Sequence, residues 1–159
     1  MSDAVARVGG RLLLIDPDDR VLLIHERLEH GGSHWLTPGG GVEPGETPRE
    51  AAIREAAEEI GVEVVLPDDA EAVLVTRREW SWAEVVYDQV DHFFAARVPT
   101  GLPLRPAALT DVEQVNWLGF GWWSVAELRS TGDVLVPADL ADVLARVLTE
   151  VLPTLDGHG

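Results

Sequence analysis

The chain has no cysteine. Disulfides, thiolate zinc sites and thiol nucleophiles are therefore excluded. Basic residues are scarce: 12 Lys and Arg stand against 28 Asp and Glu, a formal net charge of −16. So negative a surface repels nucleic-acid backbones and anionic lipid, which argues against either as a partner. A phosphate-bearing small molecule would need a local cation to approach. No run nears the ~18 apolar residues of a membrane span, and "MSDAVARVGG" lacks the basic start and apolar core of a secretory signal. A soluble, cytoplasmic domain is expected. What is present suffices for a core: 159 residues, 46% of them hydrophobic, fit one folded unit.

The chain shows no internal repeat, low-complexity tract or dividing linker. Residues 4–15 and 21–24 end in apolar runs separated by "DPDDR", which predicts strand, tight turn and strand. "HWLTP" at 34–38 predicts a short strand leading into the glycines. At Thr47 the period changes. Thr47, Pro48 and Glu50 occupy N-cap, first-turn and capping-box positions, and Gly61 suits a left-handed helix end. Residues 71–82 and 84–98 predict a strand pair, 114–123 a further short strand, Ser124 a helix cap and 138–151 an amphipathic helix. "PTLDGHG" at 153–159 predicts a flexible tail after a single domain over 1–152. Strands interleaved with helices point to an α/β layered domain with a mixed sheet.

The helix carries the chemistry. Positions i, i+3 and i+4 share a helix face, so Glu55, Glu58 and Glu59 project together, about 5–6 Å apart. A solvated acidic face is the plain alternative. Against it, clustered carboxylates repel unless a cation neutralises them, and hard Mg²⁺ or Mn²⁺ favours carboxylate and phosphate oxygens. Ala52, Ile53, Ala56 and Ile60 make the opposite face small and apolar, so the helix can lie close on a sheet with its acidic side to a cleft. A divalent-metal site explains the pattern better.

Gly40, Glu46, Arg54, Glu55, Ala56, Glu58, Glu59, Gly61 and Val62 closely resemble the Nudix box, the signature of hydrolases acting on nucleoside diphosphates linked to another group. That pattern runs Gly, five residues, Glu, seven residues, Arg-Glu, aliphatic, any, Glu-Glu, any, Gly, aliphatic. Seven fixed residues match by chance at about 10⁻⁸ per starting position. Ala56 alone departs, being smaller than the usual aliphatic. The resemblance implies a Nudix fold, a mixed β-sheet sandwiched between α-helices. It implies that Glu55, Glu58 and Glu59 hold Mg²⁺ (or Mn²⁺) against a substrate pyrophosphate, with the Gly39 carbonyl as a further ligand. Arg54 and Glu46 would form an orienting ion pair, and Gly40 and Gly41 would let the backbone approach phosphate. Family members differ in the general base, which in several lies in a later loop; Glu113 in "LTDVEQVNW" is the candidate here for an extra carboxylate serving as metal ligand or base. Arg27 resembles a position that reaches substrate phosphate, and Arg77 and Arg78 are further cations that could receive an anion or pair with nearby acids.

The expected function is a Mg²⁺-dependent pyrophosphohydrolase of a small nucleotide or nucleoside diphosphate derivative. The alternatives are a silent nucleotide sensor on the same fold and an acidic interaction domain. Family markers of substrate are missing: Arg77 stands where the ADP-ribose type has proline, and Glu79 and Trp80 where the dinucleoside polyphosphate type has tyrosine. The NADH-type run and the coenzyme A motif are also lacking. Trp35, Trp80, Trp82, Trp117, Trp122 and Trp123 read first as core or interface material, and the interface reading suggests a homodimer. His25, His30, His34 and His92 have no ligand spacing.

Overall fold

The computed structural model describes residues 3–106 and 109–155. The chain runs β1 (Val5–Ile15), β2 (Val21–Arg27), β3 (Ser33–Leu36), β4 (Gly39–Gly41), α1 (Pro48–Ile60), β5 (Leu74–Trp82) and β6 (Val85–Arg97). It continues through α2 (Asp111–Asn116), β7 (Trp117–Trp123), α3 (Val125–Ser130), β8 (Val134–Val136) and α4 (Leu140–Val147). β1 and β6 pair in parallel along their whole length, from Val5 opposite Tyr87 to Ile15 opposite Arg97. β5 closes one edge antiparallel to β6. On its other side β1 meets β4 through Gly9–Arg11 and turns into β2 at Ile15. β2 then pairs with β3 and β7, and β8 runs parallel to β3. The mixed sheet is the one expected.

Strand alternation divides the apolar residues of β1 between two cores. Leu12 and Leu14 join Leu22, Ile24, Ala52, Ala56 and Ile60 beneath α1. Leu13 and Ile15 join Phe93, Leu128, Leu140 and Leu144 beneath α3 and α4. Helices thus cover both faces. Ala52 and Ala56 are fully buried, and the close approach they permit is visible at Gly10, where an added Cβ would lie 1.9 Å from the Pro48 carbonyl oxygen. The small residue at the one box position that departs from the pattern is thus a packing match. Among the described residues no helix is long and apolar enough to cross a membrane.

Four local expectations are corrected. Residues 114–116 are helical, not strand: Thr110 caps α2 through a reciprocal box with Glu113, so the presumed loop is a helical turn. The last amphipathic segment is helical over Leu140–Val147, shorter than the 138–151 expected. β4 and β8, each three residues long, are too short to show a period. Pro153–Leu155 is no loose tail, because the Pro153 carbonyl accepts the Arg97 N–H at 2.8 Å, the Arg97 carbonyl accepts the Leu155 N–H at 2.8 Å, and Leu155 is 6% exposed. An apolar residue with a core to enter overrode the Gly- and Asp-rich context. Residues 156–159 lie outside the described residues.

Candidate active site

α1 begins as the sequence predicts. The Thr47 side chain accepts the Glu50 N–H, the Glu50 carboxylate accepts the Thr47 N–H, and Pro48 occupies the first turn. At the other end Gly61 adopts φ 68°, the left-handed region that glycine favours. So anchored, the helix lays Glu55 and Glu59 over the glycine segment of β4. Glu59 is buried, and its Oε1 accepts the Gly39 N–H at 2.7 Å. Glu55 lies against Gly40, where any Cβ would come within 2.4 Å of its Oε1. Gly40 is therefore a steric requirement of the glutamate above it.

Arg54 ties this region together. It grips Glu46 in bidentate fashion, Nε to Oε2 at 2.8 Å and Nη2 to Oε1 at 3.0 Å. The same guanidinium donates to the Gly41 carbonyl at 2.9 Å, to Glu55 at 2.9 Å and to Glu58 at 3.2 Å. The Glu46–Arg54 pair is thus present, and it fastens the turn before α1 to the helix. Its charge-assisted bonds hold the Glu46 carboxyl below the ordinary carboxylate range and push Arg54 further up.

The carboxylates that converge are not the three that share a helix spacing. Ligand-capable oxygens of Glu55, Glu59 and Glu113 lie within 4.8 Å of one another. Glu113 enters from α2, where it also accepts the Thr110 N–H at 2.9 Å. Glu58 lies beside the group, partly exposed, and is turned to Arg54. Burial pushes the Glu59 carboxyl well above its ordinary value, with nearby Glu55 adding to the rise, while Arg11 and the Gly39 N–H oppose it. Burial also raises Glu55, against the pull of Arg54. Close, desolvated carboxylates of this kind suit a hard divalent cation, which would restore their charged form.

Other expected residues have different surroundings. Arg27 is exposed at the end of β2 and donates to the Val115 carbonyl at 3.2 Å, a cation on the last turn of α2. It therefore steadies the helix that brings Glu113. The Gly39 carbonyl faces Arg11 Nη1 at 3.4 Å, which also donates to the Thr37 carbonyl at 3.0 Å. Arg11 is a support of this site that the sequence reading passed over. Its signal was an arginine at a core-facing position of an apolar strand. Of the tryptophans, Trp117 and Trp122 pack on one core, Trp35 and Trp123 on the other. His25 stacks flat on Trp35 at 4.1 Å, a packing role.

The Nudix family model, described as a NUDIX domain, matches residues 6–146. The chain belongs to the Nudix family. Among sequence relatives, it is 38% identical over 76 residues to an RNA pyrophosphohydrolase of Roseobacter denitrificans, covering 48% of this chain and 45% of that protein. It is 32% identical over 130 residues to the human 8-oxo-dGDP phosphatase NUDT18, covering 81% of this chain and 36% of that one. The chain spans from 28% to 64% of the length of the curated relatives it matches. A Nudix-family hydrolase of Clostridium perfringens shares the fold, with a TM-score of 0.63 at 22% identity, over 94% of this chain and 100% of that one. The box residues expected from the Nudix pattern lie on α1, in the turn and glycine strand before it or, for Gly61 and Val62, directly after it.

Proposed function

We infer that this Nudix protein is a divalent-metal-dependent pyrophosphohydrolase of a small nucleotide or nucleoside diphosphate derivative. The observation that carries the reading is the convergence of Glu55, Glu59 and Glu113. These three would hold the ion, with Glu58 at their margin and the Gly39–Gly41 backbone free of side chains beside them. When bound, Mg²⁺ supplies positive charge to the diphosphate oxygens as negative charge develops on them.

The chain's own residues do the rest. Glu46 and Arg54 keep the turn and the glycine strand fixed against α1, so Glu55 is held over Gly40. Gly39 through its N–H, and Arg11 through its charge, favour the ionised form of Glu59. In the reaction, water oxygen bonds to phosphorus, the anhydride P–O bond breaks, and the bridging oxygen departs with the leaving phosphate. A carboxylate of the cluster accepts the proton of the attacking water. An RNA relative's substrate fits this chain poorly, because a net charge of −16 opposes a polyanionic strand.

The test is phosphate or nucleotide release from a panel of nucleotides with Mg²⁺, for wild type and Glu59→Gln. Turnover by wild type with a loss of about 100-fold or more in the variant is expected. Equal rates would remove the site from the chemistry.

A further inference from the structure

A second polar cluster lies on the face of the sheet away from α1. There, alternation brings Arg7 and Arg11 of β1 to the side that holds Gln89 and Asp91 of β6. Gln89 is 1% and Asp91 2% exposed. Asp91 Oδ1 accepts from Gln89 Nε2 at 2.7 Å, and Gln89 Oε1 accepts the Trp80 indole N–H at 2.8 Å. Two guanidinium groups then share the one carboxylate, Arg11 Nε at 3.7 Å and Arg78 Nε at 3.5 Å. These are charge contacts, too long for strong hydrogen bonds. Arg7 adds a third cation, 5.6 Å over the Trp80 ring, where Arg78 also lies at 5.6 Å.

Two guanidinium groups thus face one carboxylate, with a third close by, inside a chain whose overall charge is −16. The Nε of Arg78 is buried and without a hydrogen-bond partner. Burial, then the charges of Arg11 and Arg7, hold Arg78 below its ordinary pKa despite Asp91. By contrast Arg77 is paired with Asp88, Arg54 with Glu46, and Arg27 with the Val115 carbonyl. Beside Arg78 a groove of about 420 Å³ runs between β5 and the end of β8 with the segment after it, walled by Thr76, Arg77, Val136, Pro137 and Asp139. A hollow of about 10 Å³ shares Thr76, Arg78, Val136 and Pro137 with it and is lined further in by Arg11, Thr37 and Asp91. Arg11 in turn touches the Gly39 carbonyl, whose residue also binds Glu59. The inner end of the groove therefore backs onto the acidic cluster.

A guanidinium largely withdrawn from water and held by a carboxylate only at 3.5 Å is costly, and an oxyanion at its terminal N–H groups meets it bidentately. Asp139 stands on the outer wall, paired with no cation among the described residues, whereas at the inner end Asp91 is outnumbered by Arg11 and Arg78, so negative charge is better met beside Arg78. We propose that Arg78, backed by Arg11 and Arg7, is a specificity subsite for a carboxylate or phosphate carried by the part of the substrate beyond the cleaved diphosphate. This rests on the diphosphate-cleaving reading above. The chain contains no lysine, so guanidinium is its sole cationic side-chain chemistry for such a group at neutral pH apart from histidine.

Two matched pairs test it: UDP-glucuronate against UDP-glucose, which differ by a carboxylate, and NADPH against NADH, which differ by a phosphate. Wild type should prefer the charged member of at least one pair by about tenfold or more in kcat/KM, expressed in KM. Calorimetry in metal-free buffer should give the same preference in Kd. Arg78→Gln should reduce it to within about twofold, and Arg78→Lys, which keeps the charge and loses the fork, should fall between. The pair that responds identifies the oxyanion. Equal handling of both pairs by wild type in both assays, or a preference untouched in both variants, overturns the subsite. If no diphosphate is turned over while metal-free binding keeps an Arg78-dependent preference, the hydrolase reading fails and the subsite stands.

Discussion

On the α1 face of the sheet, Glu55, Glu59 and Glu113 gather negative charge; on the opposite face, Arg11 and Arg78 gather positive charge around Asp91, with Arg7 near Arg78. Gly39 lies between them, its N–H given to Glu59 and its carbonyl turned to Arg11. Both clusters hold charges that burial makes costly, yet they differ in how those charges are met. The glutamates have backbone donors: Gly39 for Glu59, Thr110 for Glu113. Arg78 Nε makes no hydrogen bond and has the Asp91 carboxylate only at 3.5 Å. Like charges packed on both sides of one glycine are readily reconciled when a cation neutralises one set and an anion the other. A diphosphate ester carrying a metal ion, with a further oxyanion beyond the diphosphate, supplies both.

That comparison breaks most sharply at Glu59. Glu59→Gln should cost about 100-fold or more in turnover and abolish stabilisation by Mg²⁺ in a thermal melt. Next comes the contrast between two glycines under α1. Gly10→Ala would push a Cβ to 1.9 Å from the Pro48 carbonyl, backbone that cannot step aside, and should destabilise by about 3 kcal/mol in urea unfolding. Gly40→Ala meets only the movable end of Glu55, at 2.4 Å, so it should weaken metal binding far more than it lowers Tm.

Protonation gives a smaller effect with a definite sign. Burial raises the folded-state pKa of Glu59 above the ordinary 4.5, so the folded chain keeps a proton that the unfolded chain releases. This group therefore costs nothing below about pH 4.5 and destabilises progressively as pH rises towards its folded-state value. In metal-free buffer the Tm of Glu59→Gln, relative to wild type, should rise with pH across that window, and Mg²⁺ should shrink the difference by stabilising wild type. A Tm difference that is flat with pH would contradict the buried placement of Glu59. The smallest expected effect is at Arg77. Its pair with Asp88 is exposed, and Arg77→Ala should leave Tm unchanged.

Much of this was legible in the sequence because local rules act there. The Thr47 box, Pro48 and Gly61 set the bounds of α1 by hydrogen bonds within a few residues, and "LLLI" divided itself between two cores by alternation. The Glu46–Arg54 pair followed from the box pattern. The carboxylate set was less legible. Helical spacing pointed to Glu55, Glu58 and Glu59 and the later segment to Glu113; Arg54 bonds both Glu55 and Glu58, and it is α2 that brings Glu113 to Glu55 and Glu59 from far along the chain. That α2 is a helix depends on a capping box in a segment whose apolar residues suggested a strand. The arginine cluster was least visible. Arg11, Gln89 and Asp91 become neighbours only through the parallel pairing of β1 with β6, which sequence spacing does not reveal.

The most direct measurement is a crystal soaked in Mn²⁺ and read by its anomalous signal. The account predicts a peak among the carboxylates of Glu55, Glu59 and Glu113, lost in Glu59→Gln. Manganese bound elsewhere, with those three carboxylates unligated, would contradict it.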